Sequence, residues 1–246
     1  KLRLFLGLER GLKANKRAIV NIDDSYGARI VERCPVPVWT YALKAKADLR
    51  AEAVRLSLQG TTSTAATPVG SFPIESHLVG EHNVYNLLAA IGVALHEGAT
   101  PTQIREAVVR VTNVPGRFER VIAGQPFTVA VDYAHTEDAL VRLLTAAQVL
   151  KTRRIITVFG CGGDRDRGKR PKMGEAAVRY SDVVILTSDN PRTEDPLSIL
   201  EQVEVGVSEA LRLRPHVQYR KVSDRRDAIE EAVREARSGD MVLIAG

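Results

Sequence analysis

Guanidinium groups held on tight turns are suited to gripping carboxylates, and this chain carries two of them. Gly160-Cys161-Gly162-Gly163-Asp164-Arg165 ends a glycine turn on Arg165, which can there offer a two-toothed guanidinium to a carboxylate. Asp189-Asn190-Pro191-Arg192 supplies an acceptor, an amide and a second guanidinium within four residues, stiffened by proline. A zwitterionic amino acid needs that mix: cations for its carboxylate and acceptors for its ammonium. Turns are also built from Gly, Asp, Asn and Pro for purely conformational reasons, so the second stretch reads equally as an Asx-turn leading into a helix at Pro196. The run from Gly163 to Gly168-Lys169 spells the phosphate-loop pattern G-x-x-x-x-G-K. It fails at the next position, where Arg170 replaces the Ser or Thr that would hold magnesium, and four charged residues crowd the amides between the glycines. Upstream, His82, Asn83 and Asn86 gather at the start of a helical pattern. A helix N-terminus attracts anions and a side-chain amide can read an adenine edge, whereas capping alone explains one Asn and not both. Asp132-Tyr133-Ala134-His135 follows an apolar run; His135 by itself reads more readily as a structural histidine.

Regular elements must hold these residues. From about residue 127, β-branched runs (127–131, 155–159, 183–187, 217–219 and 241–245) alternate with amphipathic helical stretches (137–150, 171–180, 196–213 and 224–236). Apolar runs bounded by helices read as buried parallel strands, and crossovers of one hand then give a Rossmann-like, doubly wound α/β domain. Ligands of such sheets gather beyond the carboxyl ends of the strands. Asp132–His135, Gly160–Arg165, Asp189–Arg192 and Gly246 each follow a run, so four unusual turns on one edge predict a cleft. The first 115 residues are less regular. Residues 18–21 read as a strand, 23–27 as a turn cluster, and 36–79 as short strand candidates around a Thr-, Ser- and Ala-rich stretch at 60–70. Residues 80–98 read as one helix with Val84, Leu87, Leu88, Ile91, Ala94 and Leu95 on its apolar side. Thr100-Pro101-Thr102-Gln103 is a capping-box start for a second helix. Asn113-Val114-Pro115-Gly116 breaks that helix and predicts a boundary between domains 1–114 and 115–246.

Composition narrows the classes. The net charge of +5 is spread along the chain, with cations interleaved among acids as in Arg225, Arg226, Asp227, Glu230 and Glu231, the pattern of a solvated helix face. Aromatics are 5% and no basic stripe is interleaved with them, which argues against nucleic acid. Cys34 and Cys161 are the only cysteines and lie far apart, so neither a disulfide framework nor a zinc site is expected and a reducing cytoplasm fits. No apolar run approaches the roughly 20 residues that span a bilayer, so no membrane association is expected. A start at Lys1 and a stop at Gly246, directly after the last apolar run, read as a piece cut from something longer.

Taken in order, several stretches resemble the Mur ligase family. They are Lys1-Leu-Arg-Leu-Phe5, Asn21-Ile-Asp-Asp24, Gly80-Glu-His-Asn-Val-Tyr-Asn86, Pro115-Gly-Arg-Phe-Glu119, Asp132-Tyr-Ala-His-Thr136, Gly160 to Asp166, Asp189-Asn-Pro-Arg192 and Ala245-Gly246. Within the family they are most similar to the type that adds the third residue of the peptidoglycan peptide, and the Asp-Asn-Pro-Arg box resembles that of enzymes using meso-diaminopimelate rather than lysine. The resemblance implies the carboxyl-terminal part of a central ATPase α/β domain over 1–114 and the amino-acid-binding domain over 115–246. It implies a cytoplasmic, monomeric, ATP- and Mg2+-dependent amide-bond ligase acting on UDP-N-acetylmuramoyl-L-alanyl-D-glutamate through an acyl phosphate. By the same resemblance Arg165, Asp189, Asn190, Pro191, Arg192 and Gly246 would contact diaminopimelate, with both arginines on its distal carboxylate. Asn86, Arg117, Asp132 and His135 would hold ATP. Lys1 would be the family's carbamylated lysine, a catalytic residue that positions magnesium indirectly. The family's phosphate loop and uridine-nucleotide domain would precede Lys1, so this stretch by itself is expected to lack ligase activity. Two other readings stand beside this one: another ligase of the superfamily, of the folylpolyglutamate or cyanophycin synthetase type, and a ligase-like structural or binding subunit whose catalysis is lost.

Overall fold

A computed structural model describes residues 2–246; the carbamylated-lysine expectation for Lys1 therefore lies outside the described residues. The chain divides after Thr112 into two compact units.

The first unit runs α1 (Leu2–Leu6), a 3-10 turn (Leu8–Arg10), β1 (Ala18–Asn21), α2 (Gly27–Arg33), β2 (Val38–Ala42), β3 (Leu49–Ser57), β4 (Gly60–Thr67), β5 (Gly70–Ser76), α3 (Glu81–His96) and α4 (Pro101–Arg110). Its sheet has the order β1-β2-β3-β4-β5, parallel through β3 and antiparallel beyond it. Within the stretch expected as short strand candidates, β2 pairs parallel with β3, and β3, β4 and β5 form one continuous antiparallel meander. Buried Val84, Leu88, Ile91 and Leu95 of α3 and Ile104 and Val108 of α4 close over Leu49, Ala65, Phe72 and Ile74 of the sheet. Helix α4 starts on a complete capping box: Gln103 N–H donates to Thr100 Oγ1, and the Gln103 side chain accepts from Thr100 N–H at 2.8 Å.

The second unit runs β6 (Glu119–Val121), β7 (Thr128–Asp132), α5 (Glu137–Leu150), β8 (Ile155–Phe159), α6 (Lys169–Tyr180), β9 (Val183–Leu186), α7 (Pro196–Leu213), β10 (Gln218–Lys221), α8 (Arg225–Glu235) and β11 (Met241–Ala245). The strand order is β10-β9-β8-β11-β7-β6. Every pairing is parallel except that of β6, a short edge strand antiparallel to β7 that the apolar pattern does not announce. Strands β8, β9 and β11 are buried throughout, as central parallel strands must be when helices cover both faces. From β7 the chain steps to β8, β9 and β10 through α5, α6 and α7, which pack side by side. It then returns through α8, on the other face over β8, β9 and β11, so that β11 slots between β7 and β8. This is the doubly wound arrangement the alternating runs lead one to expect. Helices α6 and α7 touch backbone to backbone: a Cβ at Gly206 would overlap the Pro171 carbonyl, and one at Gly174 the Val203 carbonyl. Among the described residues no helix is long and apolar enough to cross a membrane.

Candidate functional site

The loops after β8 and β9 meet at the carboxyl edge of the second sheet, and glycine is what lets them meet. A Cβ at Gly163 would overlap the Pro191 carbonyl oxygen, one at Gly160 would lie 2.5 Å from the Thr187 oxygen, and one at Gly162 2.9 Å from Arg192 Nη1. In the space thus left, Gly163 N–H donates to the Asn190 carbonyl at 2.9 Å, and Arg192 Nη1 donates to the Gly163 carbonyl at 2.6 Å. Asp164 and Arg192 both sit at φ +50°, a left-handed conformation uncommon for residues with a side chain. Arg165 is exposed, its Nη1 donating to the Asp164 carbonyl at 3.1 Å. The two guanidiniums that the sequence singles out are therefore carried by one interlocked pair of loops.

Beneath these loops lies a charged cluster that the sequence reading passed over. Arg170 is fully buried, and both its terminal nitrogens donate to Glu194, at 3.0 Å to Oε2 and 2.7 Å to Oε1. Arg170 also donates to Gln202 Oε1 at 2.8 Å and toward the Gly162 carbonyl at 3.4 Å. Glu194 Oε1 accepts the Asp164 N–H at 2.6 Å, while the Asp164 carboxylate accepts the Thr193 hydroxyl and N–H. The Arg170 guanidinium first, then the Asp164 amide, hold the Glu194 carboxyl down at about 2. The Thr193 hydroxyl and amide likewise hold Asp164 below the usual carboxylate range. One signal for Arg170 was available: it stands at i of the i, i+3, i+4, i+7 stripe Arg170, Met173, Gly174 and Ala177, which α6 buries. Glu194 has no local signal, since its partner lies 24 residues away. The same bonds dispose of the phosphate-loop pattern. The amides of Gly163, Asp164 and Gly168 are spent on Asn190, Glu194 and Asp166, and Arg170 points into the core.

Around this edge the other expected residues fall as follows. Gly246 follows β11 at φ +115°; its N–H donates to the Asp132 carbonyl at 3.1 Å, and a Cβ there would lie 3.7 Å from Asp189 Oδ2. It would also lie 3.8 Å from both terminal nitrogens of Arg225, a cation at the start of α8 that sequence reasoning took for part of a solvated face. Asp132 is buried and accepts the Phe118 N–H at 2.8 Å. That bond fixes a turn in which Gly116 and Phe118 both have positive φ and from which Arg117 projects into solvent. His135 is exposed, its Nδ1 2.9 Å from the Tyr133 carbonyl and its ring tilted against Tyr133. The His135 carbonyl accepts from Lys169 at 2.5 Å.

In the first unit Asn83 is buried and donates to the Val79 carbonyl at 2.8 Å, so it secures the entry to α3. Its Oδ1 accepts from Asn86 Nδ2 at 3.2 Å, which orients the Asn86 amide. Asn86 borders a cavity of about 740 Å³ between α3 and α4, lined mainly by apolar residues such as Leu78, Leu87, Ile91 and Ile104. The two asparagines thus divide the work, one structural and one presented. Among the described residues no group of three or more His, Cys, Asp or Glu side chains could hold a metal ion.

Comparison with known proteins gives these arrangements a context. Residues 116–246 match the family model described as "Mur ligase, glutamate ligase domain", and residues 1–94 match the "Mur ligase middle domain". A UDP-N-acetylmuramoyl-L-alanyl-D-glutamate--2,6-diaminopimelate ligase from Geobacter metallireducens is 45% identical over 258 residues, covering 100% of this chain and 50% of the relative. The protein of the same name from Syntrophomonas wolfei is 44% identical, covering 100% and 49%. The chain spans about half the length of the curated relatives it matches. A solved structure of a ligase of that name is 37% identical with TM-score 0.62, over 94% of this chain and 47% of the other. The diaminopimelate--D-alanyl-D-alanyl ligase of Acinetobacter baumannii is only 18% identical, yet superposes with TM-score 0.76 over 100% of this chain and 51% of its own, a likeness of fold alone.

Proposed function

Because the chain belongs to the Mur ligase family, we propose that the full-length protein carrying it is an ATP-dependent ligase joining meso-diaminopimelate to UDP-N-acetylmuramoyl-L-alanyl-D-glutamate in the cytoplasm. The observation that carries the reading is the interlocked loop pair, which mounts Arg165 and Arg192 together and sets the Asp189 carboxylate beside Gly246. Arg165 and Arg192 grip the distal carboxylate of the amino acid. Asp189, Asn190, Pro191 and Gly246 shape the pocket and accept its ammonium. In the reaction, ATP phosphorylates the free carboxylate of the nucleotide substrate. The unprotonated amine of diaminopimelate then attacks the acyl carbon, the C–N bond forms, phosphate leaves and the amine loses its proton. The second unit's part is to hold and aim that amine, a contribution of orientation.

For ATP, the Asn86 amide at the α3–α4 cavity suits an adenine edge. Arg117 and His135 are exposed for contact with the nucleotide, and Asp132 fixes the turn that carries Arg117. The described residues do not by themselves form a magnesium site, so magnesium is assigned to the full-length protein on the strength of the family, and no step is routed through it here.

The test is amino-acid selectivity in the full-length protein. Lysine keeps the distal ammonium but has a hydrogen where diaminopimelate carries the distal carboxylate, so the two arginines are left without their anion. Charge-assisted hydrogen bonds contribute about 1.5–3 kcal/mol each, so losing those of two arginines should favour diaminopimelate about a hundredfold or more in kcat/KM. Arg192→Ala should remove most of that preference and leave the KM for ATP within about twofold. Equal efficiency with lysine and diaminopimelate would overturn the assignment.

A further inference from the structure

The Arg170–Glu194 pair belongs to no contact proposed above, yet its bonds tie the two loops of this edge together. The bonds form a circuit that crosses between the two loops more than once. Arg170, from α6, holds both oxygens of Glu194; Glu194 takes the amide of Asp164; Asp164 takes both donors of Thr193, the residue before Glu194. Each proposed ligand-gripping arginine is the immediate neighbour of a member of this circuit: Arg165 follows Asp164, and Arg192 precedes Thr193. Two backbone positions at φ +50° lie within it or beside it, Asp164 and Arg192, and such conformations persist only where the surroundings over-determine them. This edge also carries Arg165, Arg167, Lys169 and Arg192, so loss of the Glu194 or Asp164 carboxylate would leave cations without an anion among them. Arg167 itself approaches Glu194 at 3.2 Å.

We infer that the Arg170–Glu194 pair is the positioning device for amino-acid selectivity, setting the angle at which Arg165 and Arg192 meet the ligand without touching the ligand itself. This rests on the amino-acid-binding reading proposed above. If the circuit relaxes, the guanidinium of Arg192 loses its fixed seat on the Gly163 carbonyl. A displacement of about 1 Å in a gripping group costs on the order of a hundredfold in rate.

The experiment uses the full-length protein and measures kcat and KM for meso-diaminopimelate, L-lysine and ATP, with thermal melting alongside. Glu194→Gln keeps the shape and removes the charge. Thr193→Val, at an exposed loop position, removes the hydroxyl donor to Asp164 and keeps the backbone one, which weakens the circuit without touching the Arg170–Glu194 pair. Glu194→Gln should lower kcat/KM for diaminopimelate by about tenfold or more, chiefly through KM, while the lysine rate and the KM for ATP hold, so that the preference narrows. Thr193→Val should move the same ratio in the same direction by less. Folded variants that both keep the parent's preference would overturn the inference, as would a KM for ATP that rises in step with that for diaminopimelate, the mark of a general support of the fold. A parent protein with no preference for diaminopimelate would instead overturn the reading on which the inference rests.

Discussion

Asp23 in the first unit and Glu194 in the second each gather a loop onto one carboxylate, and they do so with opposite kinds of donor. Asp23 collects the amides of Leu43, Lys44 and Ala45 at 2.7–3.0 Å and the Tyr85 hydroxyl at 2.7 Å, all of them neutral. Glu194 is met by a buried guanidinium through two bonds and by a single amide. Neutral donors are enough where a loop must only turn. Where a loop also has to display cations, the structure places a fixed anion among them and secures that anion with a charge of its own, since charge-assisted bonds are the stronger kind. Neither of these satisfied carboxylates is therefore a spare catalytic acid, and under the function proposed above ligand contact in the second unit falls to the exposed arginines.

The comparison can be broken most forcefully at Gly163. A methyl there collides with the Pro191 backbone, which cannot rotate away, so Gly163→Ala should destabilise the second unit by about 3 kcal/mol in urea unfolding. A loss under about 1 kcal/mol would show that the loops are not locked at this point. Next in size is Asp23→Asn, which trades a charged acceptor for a neutral one and should cost roughly 2 kcal/mol. Burial pushes the Asp23 carboxyl up, but the Tyr85 hydroxyl and the three amides together outweigh it and hold the pKa below its ordinary value. Its contribution is thus full above the unfolded value of about 3.9 and fades as pH falls through the folded one. Acid titration followed by the single Trp39 should lose that limb in the Asn variant. Glu194 sharpens the contrast: with its carboxyl held at about 2, its loop should stay ordered to lower pH than the Asp23 turn, as read from the Thr193 amide by NMR. The smallest effect belongs to Gly124→Ala in the same unit as Gly163. Nothing lies within 4 Å of the added methyl, and only the positive φ of +79° resists it, a cost of about 1 kcal/mol.

Much of the second unit could be read from its pattern because β8 and β11 are apolar on both faces and their runs end where the strands end, at Ile155–Phe159 and Met241–Ala245. Helix α7 was as plain, with Asp195 capping Ser198 N–H ahead of Pro196. The first unit resisted because β4 is Gly-Thr-Thr-Ser-Thr-Ala-Ala-Thr, whose small polar side chains show no alternation even though Gly60, Thr61 and Ala65 are buried. Helix α2 hid behind the turn residues at its head. In the site, turn chemistry disclosed the exposed arginines, since glycine and proline mark them locally. The Arg170–Glu194 pair joins the first turn of α6 to the loop before α7, and only the folded sheet edge brings the two together.

The left-handed backbone at Asp164 and Arg192 has a consequence for binding entropy. A loop that had to find such conformations on meeting its ligand would surrender about 1–2 kcal/mol of backbone freedom per residue at that moment. Here the search is finished during folding: the glycine contacts of α6 with α7 seat both loops on one rigid support, and the hydrogen bonds among Asp164, Thr193 and Glu194 complete the arrangement. A ligand bound at this edge as proposed would meet a surface with little left to order, so its affinity should come with a small entropic penalty and weak dependence on loop dynamics.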